Sequence, residues 1–213
     1  MTHEYSKDAK VRILNAAIGQ FAENGFAATS VRQICDAAGV NVAAVNYYFR
    51  SKEQLYHEVF RVLFEDVSAP LTAIPAKVRD AGSWRAALLE WITMALKIVT
   101  ADQPPKSSMV KLIAYERTSP SSVFPLLHEN FFQPLRDSLA QLIRMGLPKD
   151  VDEVTASVWE VSIASQVLVF MHRSPPWDEM LIPRDATRED WLNRTAHHIE
   201  EGISSRLSFQ GGR

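Results

Sequence analysis

"GVNVAAVNYYFRSKEQLYHEVF", residues 39–60, combines two residues that can cap helices with three consecutive aromatic residues. Asn41 is able to cap a short helix over residues 42–47, and Ser51 is able to cap a longer helix that follows. Neighbouring residues on a helix point about 100° apart, so the aromatic run at 47–49 cannot face one core. The segment therefore predicts a short helix that buries one side and keeps the other for a different purpose.

Another short helix precedes this stretch. Ser30, with Gln33 three residues later, forms a capping box that opens it. Gly39 ends it, because the turn needs a left-handed backbone that a Cβ would penalise. A capped helix, a tight turn around glycine and a second helix are the sequence form of a helix-turn-helix. The small side chains at 42–44 would let the second helix approach base edges in the major groove of DNA.

Three polar or charged residues stand where contacts with DNA would be made. Asn46 lies one turn after Val42 and is able to donate to or accept from a base in the same groove. Arg32, in the first turn of the preceding helix, is placed to reach a phosphate or a guanine edge. Lys52 begins the following helix, where free backbone amides already favour a phosphate.

The order of these residues resembles a known family. TSVRQICDAAGVNVAAVNYYFRSKEQLYHEVF is similar to the DNA-binding segment of TetR-family transcriptional regulators, and the resemblance covers about residues 10–60. It implies DNA-binding roles for Ser30, Arg32, Asn41, Val42, Ala43, Ala44, Asn46, Tyr47 and Lys52. Among these, Asn41 to Ala44 would open the recognition helix, Asn46 and Tyr47 would face DNA, and Lys52 would bind a phosphate. Phe49 would belong to the core.

Two positions depart from the pattern of the family. The family usually has leucine and tyrosine where this chain has Val45 and Asn46, so an amide able to read adenine replaces an aromatic phosphate contact. Cys35 stands where alanine is usual, and we interpret it as a small buried thiol. The run NVAAVNYYF is similar to the CecR-like branch of the family.

Composition limits the remaining possibilities. Of the 213 residues, 46% are hydrophobic, which is enough for a sizeable core, and the net charge of −2 argues against a protein that coats a polyanion. A single cysteine excludes an internal disulfide framework and fits a reducing compartment. We find neither a signal segment nor an apolar run long enough to span a membrane, and therefore expect a cytoplasmic protein with no membrane partner.

The prolines divide the chain. All 11 lie at or beyond Pro70, which favours a domain boundary around residues 65–75. We therefore predict a TetR-type helix-turn-helix DNA-binding domain over 1–68 and a helical ligand-binding and dimerisation domain over 69–213. Helical periodicity recurs through both, with no convincing alternating strand, so the predicted fold class is all-α.

Capping residues and prolines also predict where individual helices begin and end. The predicted starts are Ser6, Ser83, Asp150 and Thr187. The helix from Asp150 should end near His172, and prolines at 125 and 134 predict a kink or a break near Gln133. Residues 174–186 read as a loop.

The resemblance implies a homodimer that binds double-stranded operator DNA. The last two long helices would pair across a two-fold axis, and the dimer would hold its two DNA-binding domains at the spacing of a palindromic operator. Small residues in the first of these helices favour close contact: Ala156, Ser157, Ser162, Ala164 and Ser165. A helix in the core of a monomer would show the same small residues, so that alternative stays open.

Methionines and large aromatic residues beyond residue 80 predict an apolar ligand cavity. The candidates for its lining are Trp91, Met94, Met109, Tyr115, Phe131, Phe132, Trp159, Gln166 and Phe170. Such a cavity implies an unidentified small-molecule effector of apolar or amphipathic character. Ordinary core packing is the alternative for each residue taken singly.

Catalytic signatures are missing from the sequence. It contains no glycine-rich phosphate loop, no G-x-S-x-G and no H-E-x-x-H, so we expect neither an enzyme nor a bound cofactor or metal. The function predicted is a dimeric repressor that a ligand releases from its operator. The alternatives are a helical protein–protein adaptor that retains the helix-turn-helix as scaffold, and a helical bundle that sequesters a ligand.

Overall fold

The structure, a computed structural model, describes residues 2–172 and 182–207. Every regular element in those ranges is helical, and the predicted all-α fold is confirmed. The α-helices are α1 (Thr2–Ala28), α2 (Val31–Ala38), α3 (Val42–Phe49), α4 (Lys52–Ala73), α5 (Ala81–Val99), α6 (Lys106–Thr118), α7 (Phe124–Leu127), α8 (Gln133–Gly146), α9 (Glu153–Leu168) and α10 (Arg188–Ser204). Between them lie 3-10 turns at Ile74–Lys77 and Val169–His172 and a π-helical turn at His128–Phe132.

Two predicted helix starts are wrong by a few residues. Because no helix breaker precedes Ser6, α1 begins at Thr2 and Ser6 lies inside it. The start of α9 is capped by Asp152 rather than Asp150, and the Asp152 carboxylate accepts from the amide of Thr155 at 2.7 Å. The start of α9 moved because Asp152 caps as well as Asp150 does, and the start of α1 moved because the run before Ser6 is uninterrupted.

The predicted cap of α5 is also wrong. Asp80 is the N-cap, and its carboxylate accepts from the amide of Ser83 at 2.7 Å. The amide of Asp80 in turn donates to the Ser83 hydroxyl at 2.8 Å, which closes a reciprocal capping box. Ser83 therefore takes the third helical position of the box.

Other boundaries follow the prediction in part. α3 continues to Phe49 instead of ending at residue 47, and α9 ends at Leu168, after which a 3-10 turn continues to His172. The predicted kink or break near Gln133 corresponds to a change of helix type, since a π-helical turn lies between α7 and α8, which begins at Gln133. Thr187 caps α10, where its hydroxyl accepts from the amide of Asp190 at 3.1 Å. Of the predicted loop at 174–186, residues up to 181 lie outside the described residues.

One compact unit combines Met1–Asp66 with Asp102–Phe131. Its parts are joined by a buried hydrogen bond in which the Tyr56 hydroxyl donates to the carboxylate of Glu116 at 2.8 Å. The Phe131 ring packs 5.3 Å from that of Phe64. A single boundary near residue 68 does not describe this packing, because α6 and α7 belong with the helix-turn-helix.

The other compact unit combines Val67–Ala101 with Phe132–Arg213. Trp84 and Trp91 bind α5 to α8: their indole N–H groups donate to the carbonyl of Leu142 at 2.8 Å and the hydroxyl of Ser138 at 2.9 Å. A Cβ at Gly146 would collide with the Trp84 ring, so only glycine permits this close approach. The assignment of ligand binding and dimerisation to this part of the chain stays a prediction.

Candidate DNA-binding and dimerisation surfaces

Short-range capping bonds build the helix-turn-helix. The Ser30 hydroxyl accepts from the amide of Gln33 at 3.2 Å, while the Gln33 side chain accepts from the amide of Ser30 at 2.7 Å. Gly39 ends α2 at φ 63°, in the left-handed region. The side-chain oxygen of Asn41 accepts from the amide of Ala44 at 2.9 Å. All of the predicted caps of α2 and α3 are confirmed.

The two sides of α3 differ in chemistry. Val45 and Phe49 are buried, which confirms that Phe49 belongs to the core. The solvent side carries the predicted DNA-facing residues Val42, Ala43, Asn46 and Tyr47, all of them exposed. Tyr47 is 79% exposed although it is a large aromatic residue. An uncovered face of small, amide and phenol groups is suited to a partner with hydrogen-bonding edges.

The aromatic run at the end of α3 is divided between solvent and core. The rings of Tyr47 and Tyr48 meet edge to face with centroids 5.0 Å apart, and Tyr48 lies 6.4 Å from the buried Phe49. Tyr48 is half-buried. Its ring therefore connects the exposed Tyr47 to the core and limits the positions that Tyr47 can take.

Arg50 ends α3 in a strained backbone conformation, which no feature of its residue type predicts. Its φ is 64° and its ψ −44°, and it is the one non-glycine residue with positive φ in the described part of the chain. The amide of Ser51 donates to the carbonyl of Phe49 at 2.7 Å across it, which makes a γ-turn of the rare, positive-φ kind. The exposed side chain of Arg50 thus adds a cation between α3 and Lys52.

Ser30 and Arg32 lie at the start of α2, and Lys52 lies at the start of α4. Ser30 and Arg32 are exposed, whereas Lys52 is half-buried. The Lys52 ammonium sits over the ring of Phe26, 4.3 Å from its centroid. Burial lowers the pKa of Lys52 by removing part of the ammonium's hydration. The role of each of these residues on DNA stays a prediction.

Cys35 lies on the inner side of α2 with Ile34 and Ala38. The thiol is buried, and burial raises the pKa of Cys35. A thiol with a raised pKa is a poor nucleophile at neutral pH. The interpretation of Cys35 as a packing residue is confirmed.

α9 carries a second unpartnered face. Its exposed side is a stripe of Val154, Val158, Val161 and Ser165, which fall within about 60° of one another around the helix axis. The three valines are 72%, 62% and 64% exposed. The opposite side is buried and consists of Ala156, Glu160, Ile163 and Val167.

This burial revises the small residues proposed for dimer contact. Ala156 is fully buried in its own unit and cannot contact a second copy, whereas Ser162 and Ser165 are exposed. The valine stripe was not among the residues predicted for dimer contact, although its spacing of four, three and four residues is visible in the sequence. By length and composition alone, Glu153–Met171 would be able to cross a membrane, with a mean hydropathy of 1.5. Its buried side, however, carries Glu160, whose carboxylate pairs with Arg136 at 3.1 Å.

The predicted ligand-cavity residues fall into both compact units. Met109, Tyr115 and Phe131 belong to the first, and Trp91, Met94, Phe132, Trp159, Gln166 and Phe170 to the second. The Tyr115 hydroxyl donates to the carbonyl of Glu23 at 2.8 Å. Phe170 meets Trp191 edge to face at 5.4 Å, so Trp191 is an aromatic neighbour that the prediction omitted. The cavity stays a prediction.

Comparison with known families agrees with the resemblance of residues 10–60. Residues 13–59 match the profile of bacterial regulatory proteins of the tetR family. Residues 85–202 match the C-terminal domain of the HTH-type transcriptional dual regulator CecR. The predicted family and its CecR-like branch are both confirmed.

Individual relatives share parts or most of the chain. It is 31% identical over 175 residues to the HTH-type transcriptional dual regulator CecR of Shigella flexneri, which covers 77% of this chain and 76% of that protein. It is 38% identical over 100 residues to the HTH-type transcriptional regulator RutR of Escherichia coli (strain K12), covering 47% and 45%. The crystal structure of the transcriptional regulator FadR from Bacillus subtilis in complex with stearoyl-CoA superposes with a TM-score of 0.66 at 14% identity, covering 92% of this chain and 98% of that one. That last likeness concerns the fold alone.

Proposed function

Because the chain is a DNA-binding transcriptional regulator of the tetR family with the CecR type of C-terminal domain, we propose that it is a dimeric repressor which a small-molecule ligand releases from a palindromic operator. The observation that carries the DNA-reading part is the uncovered side of α3. The buried side chains of Val45 and Phe49 hold α3 against the core, so Asn46 and Tyr47 remain exposed on a rigid helix. A rigid helix with small residues at its start is able to enter the major groove.

Division of labour among the DNA-facing residues follows from their chemistry. The Asn46 amide reads a base, because an amide can pair in two places with the edge of adenine. Tyr47, Arg32 and Lys52 contact phosphates, which position the helix without reading sequence. Ser30 and Asn41 have capping duties, and their exposed polar groups lie where the backbone of DNA would pass.

Dimerisation uses the valine stripe of α9. Val154, Val158 and Val161 form an exposed apolar row on one side of the helix, and such a row marks an interaction site. A second copy placed across a two-fold axis would cover the same stripe on both protomers. The resulting pair of α3 helices would read two half-sites about 34–36 Å apart.

An apolar or amphipathic ligand would act through α4. This helix is continuous from Lys52 to Ala73 and supplies residues to both compact units. A ligand that prefers one position of α4 shifts the population of DNA-binding protein by its difference in affinity between the two states. FadR of Bacillus subtilis has been crystallised with stearoyl-CoA, which favours long acyl compounds as the first ligands to test.

Selection of genomic DNA tests the proposal. Fragments retained by the purified full-length protein are sequenced, and binding to the most enriched fragment is measured at several salt concentrations. We expect a two-fold symmetric motif whose binding falls steeply with salt, as phosphate contacts require. A scrambled fragment of the same composition is the control.

Equal binding to the motif and the scrambled fragment at every salt concentration would refute the role in transcription. Candidate ligands, beginning with long-chain acyl-CoA and shorter acyl compounds, are then compared by their ability to release the enriched fragment. Failure of every ligand, with selective binding intact, would remove the ligand from the proposal and leave the DNA-binding regulator.

A further inference from the structure

Phe26 is a fixed aromatic platform beneath Lys52. Its ring tilts against Tyr56 at a centroid distance of 4.9 Å and stacks near Phe21 at 6.1 Å. Both of those rings are fully buried, and the Tyr56 hydroxyl is held by Glu116. Phe26 itself is half-buried, so one face belongs to the core and the other is available to the ammonium of Lys52.

The chain around Phe26 is held in place on both sides. Gly25 interrupts α1 at φ 74°, and a Cβ there would lie 3.0 Å from the ring of Tyr115. The Thr29 hydroxyl donates to the carbonyl of Gly25 at 2.8 Å and lies 3.1 Å from that of Gln20. This turn lifts Phe26 out of the helical path of α1 and fixes the direction of its ring.

An ammonium 4.3 Å from a ring centroid lies within the range of cation–π attraction. The ring covers one side of the ammonium, which leaves N–H donors on the other sides for a further partner. A free lysine side chain samples many rotamers, and binding a phosphate restricts them. Ordering it before DNA arrives lowers the entropic cost of forming a phosphate contact.

We propose that Phe26 is a positioning residue for DNA binding, which holds the Lys52 ammonium where it meets a backbone phosphate. This inference rests on the proposed function, because it assigns to Lys52 a contact with DNA. Phe26 touches no DNA and acts through Lys52 alone. Its loss should therefore weaken binding on every sequence and only while Lys52 carries its charge.

The test is a double-mutant cycle on the full-length protein with Phe26→Leu and Lys52→Met, the methionine keeping most of the packing without the charge. We expect Phe26→Leu to weaken binding of enriched and scrambled DNA by about two- to fivefold. In the Lys52→Met background the same change should have no effect. Phe26→Tyr keeps an aromatic face and should bind like the unchanged protein.

Proton NMR provides a readout independent of DNA. The Lys52 ε-protons should be shifted upfield by the ring in the unchanged protein and in Phe26→Tyr, and this shift should vanish in Phe26→Leu. Thermal unfolding of each variant is measured to check that it is folded. A loss of affinity from Phe26→Leu that is equal in both backgrounds would overturn the proposal, as would an unchanged affinity in the presence of Lys52. If the unchanged protein binds no DNA selectively, the proposed function itself has failed.

Discussion

The exposed sides of α3 and α9 are both uncovered faces of helices that bury their opposite sides, yet they call for different partners. α3 presents small residues, an amide and a phenol, with the cations Arg32, Arg50 and Lys52 in the neighbouring segments. The valine stripe of α9 presents three valines and a serine and contains no charged side chain. A polyanion with hydrogen-bonding edges suits the first face and a second copy of the chain suits the second. The exposure of a helix face therefore does not indicate its kind of partner. The chemistry of the exposed groups indicates it.

Breaking the α9 face should have the largest effect. Val158→Asp places a charge in the centre of the valine stripe, where a covered carboxylate would be strongly unfavourable. We expect a monomer by light scattering and a loss of about a hundredfold or more in operator affinity, because two linked half-sites become one. Val11→Asp, which changes an exposed valine of α1, is the matched control and should stay dimeric. A dimeric Val158→Asp protein would contradict the assignment of this face.

Asn46→Ala tests whether the α3 face reads sequence. Loss of one two-point amide contact should weaken binding to the preferred operator by about five- to 150-fold. Binding to operators changed at the corresponding base pair should be altered little, so selectivity at that position falls. The measurement is affinity for a set of operators that differ at single positions. An equal loss on every sequence would show that Asn46 does not read a base.

Lys52→Ala should have a smaller effect of another kind. A phosphate contact is independent of sequence, so we expect a uniform loss of affinity across all operators. The slope of log affinity against log salt should fall by about one unit, which corresponds to one contact. Glu53→Gln, which changes charge at the next position, is a useful comparison because it should leave that contact in place. An unchanged slope for Lys52→Ala would remove Lys52 from the DNA-binding residues.

The smallest expected effect concerns the backbone that ends α3. Arg50→Gly relieves the cost of a positive φ, although glycine also gains freedom in the unfolded chain. We expect a net gain of about 0.5–1 kcal/mol in the free energy of unfolding, seen as a rise of a few degrees in Tm. Arg50→Ala keeps the Cβ and should show no gain. A gain in Arg50→Ala equal to that in Arg50→Gly would mean that the side chain, and not the backbone, carries the cost.

Local chemistry explains what the sequence predicted well. The caps at Ser30, Gly39 and Asn41 depend on atoms no more than a few residues apart, so the spacing of these residues was enough to predict both ends of α2 and the start of α3. The error at Ser83 has the same origin, because Asp80 and Ser83 are both capping residues and each bonds to the other. Which of two adjacent candidates begins the helix depends on the backbone of the preceding turn.

Long-range packing explains what the sequence did not predict. The hydrogen bond between Tyr56 and Glu116 joins residues 60 positions apart, and the contact of Tyr115 with Glu23 joins residues 92 apart. No periodicity reports such pairs, so the membership of residues 102–131 in the first unit was not foreseen. The strained φ of Arg50 was equally hidden, since arginine is not a residue that marks a left-handed backbone.

The discontinuous first unit has a consequence for how this protein is made and how it can be recombined. Residues 102–131 supply Glu116 and Phe131 to its interior, so we expect this unit to finish folding only after synthesis has passed residue 131. A fragment that stops near residue 68 would expose Phe64 and leave the Tyr56 hydroxyl without Glu116. Transferring this unit to another regulator would therefore require both of its chain segments to be transferred together.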